Sequence, residues 1–330
     1  MNISNKAKTF LVLIGVNVTI VILLTILSPT FITYGNISAV MSRMSELGML
    51  AIAETIVFIS GGFDLSIGAI MALSGAVCGM LNAIGLPFGL VLFISLLVGL
   101  GVGAFNAFLI VNLRLQPFIV TLATMSIIRS IVYAMLKGSV LTGLPPGFLD
   151  LGYFYIFKIP FLFIVLIVTG IIISVLLKNT IIGRKIFFVG GNEKTAYLSG
   201  IHVGRVKYLV YCLSGLISAM AGIMFVIRIR AVIPDAGLNA PLEVVTAVLI
   251  GGTTIYGGKG SVFGSLLGIL AMYLLLNGFS LLSLNPFWEV IILGLILIVV
   301  VGQKSISESL RRLFPSRKTE RQVQVKPETV

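Results

Sequence analysis

Ten long apolar segments follow one another along the chain, joined mostly by short polar connections. An α-helix needs about 20 predominantly apolar residues to cross the hydrocarbon core of a bilayer. Several of the ten have only about 15 to 18, so we expect tilted or interrupted helices among them. The pattern predicts an all-α polytopic membrane protein with about ten transmembrane helices. The segments are Phe10–Leu27, Glu46–Ser60, Ile67–Ile84, Leu86–Val111, Pro117–Leu136, Ile159–Leu177, Tyr208–Ile227, Leu242–Tyr256, Ser261–Leu282 and Phe287–Val301.

The composition excludes most other classes of protein. Hydrophobic residues make up 58% of the chain and charged residues 10%, whereas soluble domains carry about 25% charged residues. The two cysteines, Cys78 and Cys212, lie in apolar stretches, which argues against a disulfide scaffold. With His202 as the single histidine, we expect neither a histidine-based metal site nor a catalytic triad.

The basic residues predict the orientation. If the N-terminus is cytoplasmic and all ten segments cross, 17 of the 23 Lys and Arg residues lie inside, five lie outside and Arg129 lies within a span. Cytoplasmic loops are rich in Lys and Arg, so this asymmetry predicts that both termini are cytoplasmic. We divide the chain into one transmembrane domain, 1–302, and a basic cytoplasmic tail, 303–330. The charged inner loop 178–207 is expected to hold a short helix, Glu193–Leu198.

Polar side chains inside the apolar segments are candidates for function, because charges there are costly. Glu54 lies near the middle of the second segment and Arg129 within the fifth. Arg129 could extend toward the headgroups, pair with Glu54 or line a polar path. We predict that a translocation path or gate is formed by Glu54 and Arg129 together with Asn106, Gln116, Thr121 and Thr124. Uncharged amides and hydroxyls suit a hydroxylated neutral solute better than an ion.

The most distinctive segment runs from Ser60 to Gly68. Gly61 and Gly62 permit a sharp turn, and Asp64 or Ser66 can cap the next helix by accepting its free amide hydrogens. We add these four residues to the predicted path or gate. A rough echo of the segment, Tyr256–Gly264, opens the ninth span.

The sequence argues against catalysis on this chain. A phosphate loop requires Gly-x4-Gly-Lys-Ser/Thr, but the stretch from Gly252 to Gly260 has one residue too many and Gly260 in the hydroxyl position. Nucleophile elbows, paired histidine ligands and Cys-x-x-Cys are absent. We therefore expect that this chain is not an enzyme and binds no cofactor or metal.

The stretch GGFDLSIGAIMALSG, from Gly61 to Gly75, resembles the signature of sugar-type permeases of bacterial ATP-binding-cassette (ABC) importers. This ribose/xylose/autoinducer-2 group belongs to the branched-chain amino acid permease superfamily. Three further blocks match in order, and the resemblance covers about residues 35 to 302. They are Gln116–Met125, Gly183–Lys185 with Gly190–Glu193 and Gly200–Ile201, and Val248–Gly252 with Tyr256–Ser261.

The resemblance implies a permease dimer in the bacterial cytoplasmic membrane, formed with a second copy or a paralogue. It also implies cytoplasmic ATPase subunits that hold ATP and Mg, an extracytoplasmic solute-binding protein and import by alternating access. In such permeases the long inner loop carries a coupling helix that docks on the ATPase. Carried over onto this sequence, the coupling residues are Gly190, Gly191, Asn192, Glu193, Ala196, Gly200 and Ile201.

The sequence departs from the family pattern at two places, and it leaves several alternative functions open. Thr195 and Tyr197 stand where many relatives have alanine, and Glu54 stands where relatives often have an apolar or amide side chain. The expected cargo is a monosaccharide or similar polyhydroxylated solute, with nucleosides or branched-chain amino acids as the alternative. An ion-coupled secondary transporter would need acidic residues clustered at mid-membrane, where only Glu54 qualifies. A lipid-modifying membrane enzyme would need paired carboxylates or a His/Asp cluster.

Overall fold

A computed structural model describes residues 3–285, 287–288, 291–296, 298–299 and 302 as a bundle of α-helices with almost no strand. Within these residues, six helices are long and apolar enough to cross a membrane, which confirms a polytopic helical membrane protein. The tenth predicted segment, Phe287–Val301, lies only partly within the described residues, and the tail 303–330 lies outside them. The helices are α1 Ile3–Leu27, α2 Tyr34–Ile59, α3 Ile67–Ala83, α4 Phe88–Val111, α5 Pro117–Leu136, α6 Phe161–Asn179, α7 Ile181–Gly191, α8 Glu193–Leu198, α9 Val203–Ile229, α10 Ala240–Ile250 and α11 Val262–Leu281.

Helix α2 is longer than the apolar pattern predicts, since it begins at Tyr34 rather than at Glu46. Arg43 and Glu46 interrupt the apolar run, which is why the pattern alone misses its first half. The structure offsets the charge of Glu46 with Arg228 of α9, whose Nε lies 2.8 Å from Glu46 Oε2 and whose Nη2 lies 2.5 Å from Oε1. A bidentate guanidinium–carboxylate pair of this kind lets both charges sit inside the bundle.

Helix α9 is the central element of the bundle and packs against α2, α3 and α4. Its contact with α4 is close because small residues face each other: a β-carbon on Gly99 would lie 2.4 Å from the carbonyl oxygen of Gly215. A β-carbon on Gly103 would lie 2.2 Å from the carbonyl oxygen of Tyr211. The helical spacing of Gly99 and Gly103 predicts this backbone approach, and the structure confirms it.

Helices α3 and α10 are shorter than a straight membrane-spanning helix, with 17 and 11 residues against about 20. Each follows a non-helical segment that enters the bundle, 60–66 before α3 and 231–239 before α10. The beginnings of the two helices meet, because a β-carbon on Gly68 would lie 2.2 Å from the carbonyl oxygen of Gly237. Irregular backbone at membrane depth is tolerated where protein surrounds it, so these segments are candidate functional elements.

The bundle has two distinct ends. At one end, hereafter the α7–α8 end, the loop 178–207 folds into α7 and α8, and Glu193 Oε1 lies 2.5 Å from Lys207 Nζ at the start of α9. Helix α8 has the predicted bounds, whereas α7 was not predicted as a helix. At the other end, the hairpin end, a 3-10 helix (Phe148–Tyr153) and two short antiparallel strands, β1 (Tyr155–Ile156) and β2 (Ile159–Pro160), connect α5 to α6.

Candidate functional site

Asp64 organises the turn between α2 and α3. Its Oδ1 accepts hydrogen bonds from the Ser66 amide at 2.9 Å and the Ser66 hydroxyl at 2.5 Å, and its Oδ2 accepts one from the Ser214 hydroxyl at 2.9 Å. Asp64, Ser66 and Ser214 are fully buried. Of the two predicted capping candidates, Asp64 or Ser66, Ser66 occupies the N-cap position of α3 but makes no side-chain cap. Asp64 holds the segment by binding the Ser66 amide instead.

The same network continues into α4 and α5. Asn106 Nδ2 donates to Ser66 Oγ at 2.9 Å, and Thr124 Oγ1 donates to Asn106 Oδ1 at 2.8 Å. Thr121 Oγ1 reaches the carbonyl oxygen of Phe63 at 3.4 Å. Polar residues that the sequence places on four separate segments therefore converge on one buried cluster. Gln116 does not join them, because it is exposed at the N-cap of α5.

Glu54 lies beside this cluster. Its Oε1 accepts the Asp64 amide at 3.3 Å, and its Oε2 has no hydrogen-bond partner although the side chain is fully buried. An unpartnered buried carboxyl oxygen is costly, and in membrane proteins such a group is by default a candidate for function. Within the described ranges, no three His, Cys, Asp or Glu side chains lie together so that they could hold a metal ion.

Arg129 has a partner other than Glu54. Its Nη1 donates to the carbonyl oxygens of Pro234 and Ala236, both at 2.8 Å. One helix turn further along α5, the Tyr133 hydroxyl donates to Asp235 Oδ1. Helix α5 therefore clamps the irregular segment 231–239 that leads into α10. Of the roles that the sequence left open for Arg129, pairing with Glu54 is not what the structure shows.

A cavity of about 390 Å³ lies beside this clamped segment, in the size range of small-molecule sites. Three carboxylates, of Glu46, Asp235 and Glu243, border it together with the amide of Asn239 and the ring of Phe225. Carboxylate and amide oxygens accept hydrogen bonds from hydroxyl groups, and an aromatic ring offers an apolar face. Sequence reasoning missed Asp235, Asn239 and Phe225 because they lie in a presumed connection and at the end of an apolar span.

Three glycine pairs meet at the α7–α8 end, and we call their contact the glycine junction: Gly61–Gly62, Gly190–Gly191 and Gly257–Gly258. A β-carbon on Gly190 would lie 1.8 Å from the carbonyl oxygen of Ile59 and 2.8 Å from the Gly258 nitrogen. The Gly258 amide donates to the same Ile59 oxygen at 2.9 Å. Gly257, at φ +79°, would place a β-carbon 2.3 Å from the Gly190 oxygen. Helix α7 therefore touches both the α2–α3 turn and its echo before α11.

Helix α8 continues directly from the junction. Asn192 caps it, with Oδ1 accepting the Thr195 amide at 2.9 Å, and Gly200 closes it at φ +79°. Ala196 is fully buried and accepts the Ile201 amide through its carbonyl oxygen at 3.0 Å. The exposed apolar side chains of α8 are Tyr197 at 73% and Leu198 at 75%. Thus three predicted coupling residues, Asn192, Ala196 and Gly200, hold the loop together. Tyr197 and Leu198 provide its exposed apolar surface.

Two residues of α9 complete the buried cluster although the sequence did not single them out. Besides Ser214, the hydroxyl of buried Tyr211 donates to the carbonyl oxygen of Phe63 at 3.2 Å and lies 3.3 Å from the Phe63 amide. Both lie inside an apolar span, where hydroxyls commonly bond their own helix. Their spacing of three residues on one helix face is the one available signal.

Comparison with known proteins gives a family and several close relatives in sequence. A family model described as branched-chain amino acid transport system / permease component matches residues 36–301. The ribose import permease protein RbsC of Bacillus subtilis is 37% identical over 86% of this chain and 88% of its own length. RbsC of Escherichia coli K12 is 33% identical over 83% and 87%, and the D-allose transport system permease protein AlsC of E. coli K12 is 31% identical over 84% and 85%. No solved structure matches the chain.

Proposed function

We propose that this chain, which belongs to the branched-chain amino acid transport system / permease component family, imports a monosaccharide or a similar polyhydroxylated solute. The chain is a permease subunit of an ABC importer and a multi-pass inner-membrane protein. It is a transport subunit and not an enzyme, because ATP hydrolysis in such importers belongs to separate ATPase subunits. Permeases of this kind work with ATPase and solute-binding partners. We propose that ATP and Mg bind only to the ATPase partner, with no cofactor on this chain.

The cargo proposal is carried by the cavity beside the segment 231–239. Its three carboxylates and one amide can bond several hydroxyl groups at once, and the ring of Phe225 can lie against the carbon–hydrogen face of a sugar ring. Relatives named for ribose and allose import support the same class of cargo.

We further propose ten membrane crossings with both termini in the cytoplasm. The α7–α8 end is then cytoplasmic, as the excess of basic residues in 178–207 supports. The hairpin end then faces the solute-binding protein. Residues 1–302 form the permease domain and 303–330 the tail, and a second permease copy or a paralogue completes the pathway.

The proposed mechanism is alternating access. An ATPase subunit docks on α8 at the exposed Tyr197 and Leu198, and its movement displaces α7. Because Gly190 touches both Ile59 and Gly258, that displacement reaches the α2–α3 turn and the segment before α11 together. The buried cluster around Asp64 and Glu54 and the Arg129 clamp then act as gates. The ATPase must bind one permease state more tightly than the other for this to drive transport.

Uptake of labelled solutes by cells expressing the importer tests the cargo. We expect ATP-dependent uptake of a pentose or hexose, and Phe225→Ala should raise the KM about fivefold or more, which corresponds to the loss of about 1 kcal/mol of aromatic contact. Phe93→Ala is the matched control, because Phe93 is 59% exposed on the outer face of α4. Uptake of leucine or a nucleoside instead of sugars would refute the cargo proposal and leave the permease assignment standing.

A further inference from the structure

A second cavity, of about 540 Å³, lies at the α7–α8 end between α6, α7 and α11. Two cations border it, Lys178 in the last turn of α6 and Arg184 in the first turn of α7. The hydroxyls of Ser174 and Ser261 and the rings of Phe187 and Phe188 complete its polar and aromatic lining. None of these residues belongs to the proposed sugar path or to the glycine junction.

The two cations are held on either side of a fixed turn. Thr180 accepts the Gly183 amide at 3.1 Å and donates to the Leu176 carbonyl oxygen at 2.6 Å. A β-carbon on Gly183 would lie 2.2 Å from the Leu177 oxygen, so α7 begins in direct contact with the end of α6. Among the described residues, neither Lys178 nor Arg184 forms an ion pair. Two unpaired cations beside one cavity favour an anionic occupant.

The start of α11 adds to this positive potential. Gly260, Ser261 and Val262 border the cavity, and Ser261 is the N-cap of a 20-residue helix. The first amide groups of a helix have no intrahelical acceptor, and its N-terminus carries a partial positive charge. A phosphate group binds favourably at a helix N-terminus and to a nearby arginine.

Exposed apolar side chains surround the cavity. Ile181 is 63% exposed, Ile182 45% and Phe188 47% along α7, and Phe263 is 58% exposed at the start of α11. An amphipathic helix with exposed apolar side chains beside basic ones is typical of an element lying in the membrane interface. An occupant with a phosphate headgroup and acyl chains matches both the cations and this apolar rim.

We infer that this cavity is a binding site for the headgroup of an anionic phospholipid of the inner leaflet. Lys178 and Arg184 bind the phosphate together with the N-terminus of α11, and the acyl chains lie against Ile181, Ile182 and Phe263. Basic pockets between transmembrane helices on the cytoplasmic side bind such headgroups in general. The inference rests on the proposed orientation, which makes the α7–α8 end cytoplasmic, and not on the cargo, so its failure would leave the cargo proposal untouched.

The test is lipid retention by the purified full-length chain, measured by native mass spectrometry with phosphatidylglycerol and phosphatidylcholine as probes. We expect preferential binding of phosphatidylglycerol, weakened about thirtyfold in the double variant Lys178→Gln/Arg184→Gln, since each cation near the surface contributes about 1 kcal/mol. The charge-preserving variant Lys178→Arg/Arg184→Lys should bind within about threefold of the wild type. The unfolding midpoint of each variant in phosphatidylcholine shows that it is folded.

The matched control removes two cations from the same surface without touching the cavity, as Lys185→Gln/Lys194→Gln. Equal loss of phosphatidylglycerol binding in this control would overturn the site in favour of diffuse surface charge. Displacement of the lipid by millimolar inorganic phosphate would overturn the lipid as occupant and assign free phosphate instead. Equal binding of the two lipids by the wild type would overturn the inference altogether.

Discussion

Substitution of Gly190 by alanine should uncouple ATP hydrolysis from transport. The new methyl group would lie 1.8 Å from the Ile59 carbonyl oxygen, whereas carbon and oxygen atoms in contact are about 3.3 Å apart or more. The backbones of α7 and α2 must therefore separate by about 1.5 Å. Overpacking of this size costs about 1–3 kcal/mol, and the displacement falls where α7 contacts both neighbouring segments.

Gly101→Ala, on a glycine of α4, is the matched control. No atom lies within 4 Å of a β-carbon built on Gly101, and alanine favours a helix over glycine by about 1 kcal/mol. The control should therefore fold at least as well as the wild type and transport normally. Both variants add one methyl group to a glycine within a helix, so the changes in hydrophobicity and helix propensity are matched.

The assay is solute uptake and ATP hydrolysis by the assembled importer in proteoliposomes. For Gly190→Ala we expect solute moved per ATP hydrolysed to fall about fivefold or more, which corresponds to a loss of at least about 1 kcal/mol of coupling. ATPase subunits should still co-purify, because Tyr197 and Leu198 are unchanged. Wild-type stoichiometry in Gly190→Ala, or equal losses in both variants, would refute the role of the glycine junction.

Three further predictions concern the polar interior. Asp64→Ala should lower unfolding free energy in detergent by about 3 kcal/mol or more because it leaves three buried donors unpaired, and an unchanged unfolding midpoint would contradict the buried cluster. Arg228→Met should cost about 3–5 kcal/mol by leaving Glu46 uncompensated; Glu46→Gln added to it should restore a large part, and additive losses in a thermal-unfolding cycle would argue against the pair. Arg129→Gln should speed amide hydrogen exchange in 231–239 about tenfold or more, since charged hydrogen bonds contribute about 1.5–3 kcal/mol; exchange at the wild-type rate would remove the clamp.

Local signals in the sequence predict local structure well here. Helix α8 has its predicted bounds because Asn192 is a strong N-cap and Gly200 adopts the left-handed conformation that ends the turn. The helical spacing of Gly99 and Gly103 similarly predicts a close helix contact, which the structure places against α9. In both cases the physical cause lies within a few residues of the feature.

The features that the sequence does not predict depend on contacts between residues that are distant in the chain. The first half of α2 is missed because Glu46 looks unfavourable until Arg228 is brought to it from α9. The sequence does not predict the partners of Arg129, because they are backbone carbonyl oxygens of an irregular segment. Every residue carries such an oxygen, so no residue type indicates them. The glycine junction is the same kind of case: three pairs are visible, but their meeting depends on how α2, α7 and the segment before α11 pack.

The central claim, that this chain is the permease of an ATP-driven importer coupled through α8, is tested most directly by what co-purifies with it. The chain, tagged at its C-terminus, is extracted in mild detergent and its partners are identified by mass spectrometry. The account predicts a stoichiometric soluble protein with a phosphate-loop motif, lost when Tyr197 and Leu198 are replaced by glutamate. A chain that purifies without an ATPase and still moves solute into ion-loaded vesicles would contradict the account and favour an ion-coupled transporter.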